Sequence, residues 1–328
     1  MLDTLGQVLP HAARRFGAKT ALVAGDRRFS FAELDSLTGS LASGLVKLGV
    51  RPGDRVTLYA GNCWEWIVSY YGTLKTGAVI NPVNVMLTPA EVAYVTRDCG
   101  ARALIGSPDK IGPALEAGVS GLTTVVFGRE TIPGTTPFDE LTAGPAAFEP
   151  VAVRPEATST IGYTSGTTGH PKGAMQSHRA VMLNGTMTAQ MHLKTAADTV
   201  VSALPCPHVY GNIVFNGAML CGQTLVMHPR FDAAEILSSI ESHKATIFEG
   251  VPTMYMYMLA HPELARYDLA SLTRCTVGGQ TMPKAKMEEV ERRFGCPLIE
   301  LWGMTELAGL GTTFPSYGPR KLGSIGIA

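Results

Sequence analysis

Tyr163-Thr164-Ser165-Gly166-Thr167-Thr168-Gly169-His170-Pro171-Lys172-Gly173 packs glycines, hydroxyls and one lysine into a single short run. The glycines at 166, 169 and 173 permit positive φ and let main-chain N–H groups approach an anion with no Cβ in the way. Ser165, Thr167 and Thr168 add hydroxyl donors, and Lys172 adds a point charge whose position is narrowed by Pro171 before it. Donors converge and no acceptor does, which predicts an anion grip of the kind that holds phosphates. Such composition usually means a plain surface loop. Here, however, it follows directly on a strand-like run, residues 159–163. It is not a Walker A loop, in which Gly-Lys precedes Ser or Thr, because Lys172 stands between Pro171 and Gly173.

Outward from the grip, helix-like and strand-like patterns alternate, the mark of α/β layers with a largely parallel sheet. Ser30-Phe31-Ala32-Glu33 reads as a capping box opening an amphipathic helix through Leu34, Leu37, Leu41, Leu45 and Leu48, and Thr88-Pro89-Ala90-Glu91 repeats it with proline at the first helical position. Residues 55–59, 78–80, 101–105 and 123–127 read as buried strands. Residues 143–157 turn to Gly, Ala and Pro and read as a connection, so the expected organisation is a first α/β sub-lobe over 1–150 and a second over 151–328. Beyond the grip, strands are expected at 200–204, 245–248, 272–277 and 297–301, with helices over 178–193, 232–243 and 284–293.

The chain of 328 residues carries 27 basic and 27 acidic side chains, so no net charge recommends nucleic acid or anionic lipid as a partner. No uninterrupted apolar run approaches the ~20 residues needed to cross a bilayer, and the N-terminus lacks the pattern of a signal peptide. Six scattered cysteines without a Cys-x-x-Cys pair fit reduced thiols in a cytoplasm rather than a disulfide framework or a zinc knuckle.

In open α/β sheets ligands bind beyond the C-terminal ends of the strands. The strands of the second half are followed there by unusual loops: Pro205 to Asn212 with His208, Glu249 to Thr253, Gly278-Gly279-Gln280-Thr281-Met282, and Trp302-Gly303-Met304-Thr305-Glu306. If the sheet is parallel, these loops and the grip converge on one crevice. Gly278 and Gly279 would let a flat ring lie on bare backbone, with Trp302 as a second face. Glu306 suits Mg²⁺, a hard cation that prefers oxygen. His208 suits a pocket wall. Singly, each has a plain alternative, since a tryptophan or a histidine beside apolar residues is more often core.

Together they resemble the adenylate-forming superfamily of acyl-CoA synthetases, luciferases and peptide-synthetase adenylation domains. Residues 163–173 resemble its AMP-binding signature, and Trp302 to Glu306 its second signature. Pro205 to Gly211 resembles its acyl-pocket segment, Gly250 to Thr253 its Val-Pro-Thr turn, and Gly278 to Met282 its adenine-side glycine pair. The resemblance implies layered sheets flanked by helices in two similar sub-lobes. It also implies ATP, Mg²⁺ and CoA as co-substrate, with a small-molecule carboxylic acid activated as its adenylate. Thr164, Ser165, Gly166, Thr167, Thr168, Gly169 and Lys172 would then hold phosphates, and Thr305 the α-phosphate. Gly279, Gln280, Thr281, Trp302, Gly303 and Met304 would border the nucleotide, Glu306 would hold Mg²⁺, and His208, Val209, Tyr210, Gly211 and Gly278 would line the acid pocket. Lys172, Thr305 and Glu306 are the expected catalytic set.

The pocket segment offers no aspartate for an amino group, which disfavours an amino-acid substrate. An AMP-forming ligase of a fatty or other aliphatic acid is expected, with an aryl acid as the alternative and a non-catalytic acyl-adenylate-binding module as the alternative of another class. The resemblance further implies a ribose-binding aspartate, a hinge and a small C-terminal domain following the large one. None of these lies within the 328 residues, so the chain alone is expected to turn over little or not at all.

Overall fold

The structure is a computed structural model that describes residues 2–129, 132–165 and 170–327. In chain order its elements are α1 (Val8–Phe16), β1 (Thr20–Ala24), β2 (Arg27–Ser30), α2 (Phe31–Lys47), β3 (Arg55–Tyr59), α3 (Trp64–Lys75), β4 (Val79–Pro82), α4 (Pro89–Asp98), β5 (Ala101–Gly106), α5 (Pro108–Glu116), β6 (Thr123–Val126), β7 (Thr136–Pro137), α6 (Phe138–Thr142) and β8 (Thr158–Thr164). There follow β9 (Lys172–Ser177), α7 (His178–Met191), β10 (Thr199–Ser202), α8 (Val209–Cys221), β11 (Thr224–Met227), α9 (Ala233–Ser242), β12 (Ile247–Gly250), α10 (Pro252–Leu259), β13 (Arg274–Val277), α11 (Lys284–Phe294), β14 (Leu298–Met304) and β15 (Gly309–Thr313).

Local chemistry starts the helices where the sequence predicts. Ser30 and Thr88 each form a reciprocal capping box, with Glu33 and Glu91 returning their carboxylates to the cap backbone at 2.7 Å. The expected strands at 55–59, 101–105 and 123–127 are β3, β5 and β6, within a residue or so at their ends.

The chain divides into two compact units, residues 1–19 with 29–182 and residues 20–28 with 183–328. The division expected at 150/151 is therefore displaced. Residues 143–157 are irregular as read, but β8 beyond them pairs in parallel with β4 and so stays in the first unit. The second unit also takes β1, which pairs in parallel with β11. The first unit holds a seven-stranded sheet in the order β7-β6-β5-β3-β4-β8-β9, parallel except for the antiparallel β8–β9 pair. The second holds an eight-stranded sheet, β15-β14-β13-β12-β10-β11-β1-β2, in which the run from β14 to β1 is parallel and β15 antiparallel. The apolar run at 211–227, read as core, is the buried helix α8 and strand β11. All six cysteines are free thiols, and no helix among the described residues is long and apolar enough to cross a membrane.

Candidate functional site

Strands β10, β12, β13 and β14 are immediate neighbours and parallel, so the segments after them emerge on one edge of the second unit's sheet. That edge carries four of the sequence's five chemical segments. The grip does not share it, because β8 and β9 belong to the first unit's sheet.

His208 is the N-cap of α8, its Nδ1 accepting from the Tyr210 N–H at 3.2 Å. That bond requires a bare Nδ1, and partial desolvation holds the imidazole pKa below its ordinary value, so both favour the neutral ring. Val209 is half-buried and Gly211 buried in the first turn. Tyr210, expected to line the pocket, is 3% exposed and turns its hydroxyl to Thr276 Oγ1 at 2.7 Å. It is part of the buried layer between α8 and β13 rather than an open wall.

Gly278 directly follows β13 in a place no side chain fits, since a Cβ there would lie 2.2 Å from Leu301 Cδ1. Gly279 takes φ +87°, a conformation that favours glycine, and turns Gln280 and Thr281 out to solvent. The expected loop Trp302 to Glu306 is in fact half strand. β14 continues through Trp302, Gly303 and Met304, because β15 pairs back on it across a bulge at Trp302/Gly303. Trp302 lies over Gly311 yet remains 43% exposed, so the indole has accessible surface for stacking. Thr305 and Glu306 form a 3₁₀ turn immediately after, with Glu306 exposed.

Sequence reasoning missed the residue that holds this hairpin. Asn184 on α7 donates to the Leu310 carbonyl and accepts from the Leu310 N–H, both at 2.9 Å, clasping β15 by its backbone. A buried His192 adds a second tie, with Nε2 at 2.9 Å from Thr313 Oγ1, whose hydroxyl donates to the Glu300 carbonyl at 3.0 Å. The sequence signal was faint, an asparagine within a helix that also carries Thr186, Thr188 and Gln190.

In the first unit, Thr164 and Lys172 face each other as the last pair of the β8–β9 hairpin. Ser165 and Lys172 are exposed, while Gly166, Thr167, Thr168 and Gly169 lie outside the described residues. Both flanks of the hairpin tip are tied to α4. Tyr163 donates to Asp98 Oδ2 at 2.5 Å, and His170 stacks on Tyr94 with ring centroids 5.3 Å apart. Burial, then the Asp98 carboxylate, push the Tyr163 phenol far above its usual pKa, so it remains a donor.

The residues fit a magnesium ion that works on phosphates. No group of three or more His, Cys, Asp or Glu among the described residues could cage a metal. Mg²⁺ on a nucleotide asks instead for one or two carboxylates beside phosphate oxygens and water, and Glu306 presents an exposed carboxylate at the sheet edge.

Known proteins resemble this chain in sequence and fold. The chain is 29% identical to a long-chain-fatty-acid–CoA ligase of Bacillus subtilis over 98% of this chain and 63% of that protein. It is 32% identical to an indoleacetate–CoA ligase of Aromatoleum aromaticum over 94% and 62%. A crystal structure of an anthranilate CoA ligase in complex with anthranoyl-AMP superposes with a TM-score of 0.93 at 27% identity, covering 98% of this chain and 64% of that one. The chain thus spans a little under two thirds of the length of these relatives. The AMP-binding enzyme family matches residues 9–328, which include the β8–β9 grip and all four loops of the sheet edge, and the chain belongs to that family.

Proposed function

We propose that this chain carries the acid- and nucleotide-binding part of an AMP-forming acid–CoA ligase, an ATP-dependent acid–thiol ligase. The observation that supports it most is the alignment of four chemical segments on one parallel sheet edge. In the first step a carboxylate oxygen attacks the α-phosphorus of ATP, giving an acyl-adenylate and releasing pyrophosphate. In the second the sulfur of CoA attacks the acyl carbon, giving a thioester as AMP leaves. The acid and the triphosphate are both anions, so the protein's work is positioning and charge neutralisation.

Each residue then has a task. Lys172, with Thr164, Ser165 and the run from Gly166 to Gly169, receives the β- and γ-phosphates. Thr305 donates to an α-phosphate oxygen. Gly279, Gln280 and Thr281 border adenine on one side, and Trp302, Gly303 and Met304 border the nucleotide on the other. Glu306 would hold Mg²⁺, which when bound neutralises phosphate charge. His208, Val209, Gly211 and Gly278 border a fatty or aryl acid.

A pyrophosphate-release screen against fatty, dicarboxylic and aryl acids, run on the protein expressed from its complete reading frame, tests the reading. The expected result is release that depends on one class of acid and collapses in Lys172→Ala. Release with no acid, or with none of the three classes, would reject it.

A further inference from the structure

We infer that the acid pocket closes on a buried polar floor and takes a compact acyl group, short aliphatic or single-ring, rather than a long chain. The inference rests on the acid-binding role proposed above for His208 and Gly278.

In that role the two residues would stand at the pocket mouth, one at the start of α8 and one just past β13. Two residues further into each element, Tyr210 and Thr276 meet at 2.7 Å. A strand rises about 3.3 Å per residue, so this contact lies roughly 7 Å below Gly278. The Thr276 hydroxyl donates to Glu249 Oε2 at 3.1 Å, which leaves the Tyr210 hydroxyl as donor to Thr276 Oγ1. Lys194 Nζ donates to Glu249 Oε1 at 2.6 Å, and the side chains of this ion pair are each 1% exposed.

The chain of groups runs across the sheet and along the helix. Glu249 and Thr276 are register partners on β12 and β13. The Tyr255 hydroxyl closes the far side, donating to the Thr276 carbonyl at 2.7 Å. Lys194 reaches α8 at Gly217, where a Cβ would lie 3.5 Å from Nζ. Hydrogen-bonded polar groups therefore meet α8 at both Tyr210 and Gly217, about two helical turns apart. A long alkyl chain threading between α8 and the sheet would separate a buried ion pair and set methylenes against its uncompensated charges. A compact group stops at the Tyr210 hydroxyl and leaves the floor intact.

The test is calorimetric titration of this chain with 5′-O-(N-acylsulfamoyl)adenosines carrying butanoyl, benzoyl, dodecanoyl and hexadecanoyl groups. Butanoyl or benzoyl is expected to bind at least about tenfold more tightly than the two long chains. In the double variant Lys194→Met with Glu249→Met, which removes both charges together, the gap is expected to narrow through tighter long-chain binding. Should that variant fail to fold, the unmodified series decides alone. Equal affinity across the series, or tightest binding of hexadecanoyl, would overturn the floor while leaving the adenylate site standing. Failure of every member to bind, the short ones included, would overturn the adenylate reading and this inference with it.

Discussion

The sheet edge of the second unit and the hairpin tip of the first carry the two halves of the proposed chemistry, and they are built in opposite ways. The edge grows out of buried structure. Its segments follow four adjacent parallel strands, and directly behind them Tyr210, Glu249 and Thr276 are almost fully enclosed. The hairpin tip presents exposed Ser165 and Lys172, and its described flanks are tied down by Tyr163 on Asp98 and His170 on Tyr94. In the proposed reading, shape recognition of a base and an acid would be a property of packing, and charge recognition would be delegated to exposed donors. Damage to the edge should appear as lost stability and damage to the tip as lost affinity.

The largest expected effect breaks the edge. Lys194→Met alone strands Glu249 as a buried unpaired carboxylate, and a drop of about 3–5 kcal/mol in unfolding free energy is expected in denaturant titration. At the tip, Lys172→Ala should cost about 1.5–3 kcal/mol of MgATP binding by calorimetry, with an unchanged melting temperature.

Acid should reveal a weakness in both units. His178 in the first accepts from the Leu5 N–H through Nδ1, and burial pushes its pKa down to about 4. His192 in the second is pushed down to about 3 by burial, aided by Lys194 and Arg274. Both are neutral when folded and take up a proton when unfolded, so the stability they contribute is full above the ordinary value of 6.5 and lost as pH falls from there towards these lowered values. Between pH 6.5 and roughly pH 5 the loss is on the order of 2 kcal/mol per histidine, and His178→Gln should flatten the acid limb of a stability-versus-pH curve.

Smaller effects refine the contrast. Asn184→Ala removes both hydrogen bonds to Leu310 and should cost about 1–2 kcal/mol of stability, with loosened protection of the β15 amides in hydrogen exchange. Asp98→Asn replaces a partner at an exposed site and should change stability by less than about 1 kcal/mol, with a modest rise in the KM for MgATP as its readout.

The chemistry-bearing segments were legible in the sequence because glycines, hydroxyls and charges at loop spacing have few local uses. Capping boxes at Ser30 and Thr88 were legible for the same reason, being complete within four residues. Pairing partners were not. Whether β8 joins β4 or the strands of the second half depends on contacts far apart in the chain, so neither the unit boundary nor the sheet that carries the grip is written in local sequence. β1 and β2 do carry a local signal, since Gly25-Asp26 between an apolar run and Arg27-Arg28-Phe29-Ser30 is a hairpin turn, with Gly25 at φ +58°. Trp302 in a strand, and Tyr210 turned inward, follow from β15 and Thr276, which lie ten and sixty-six residues away.

The central claim is that Trp302 and the glycine step at 278–279 form a nucleotide-binding edge. Tryptophan fluorescence of this chain titrated with MgATP tests it most directly, with Trp302→Phe as the comparison. A saturable one-to-one signal that disappears in the variant is expected. No saturable signal in the unmodified chain, or the same signal in Trp302→Phe, would contradict it.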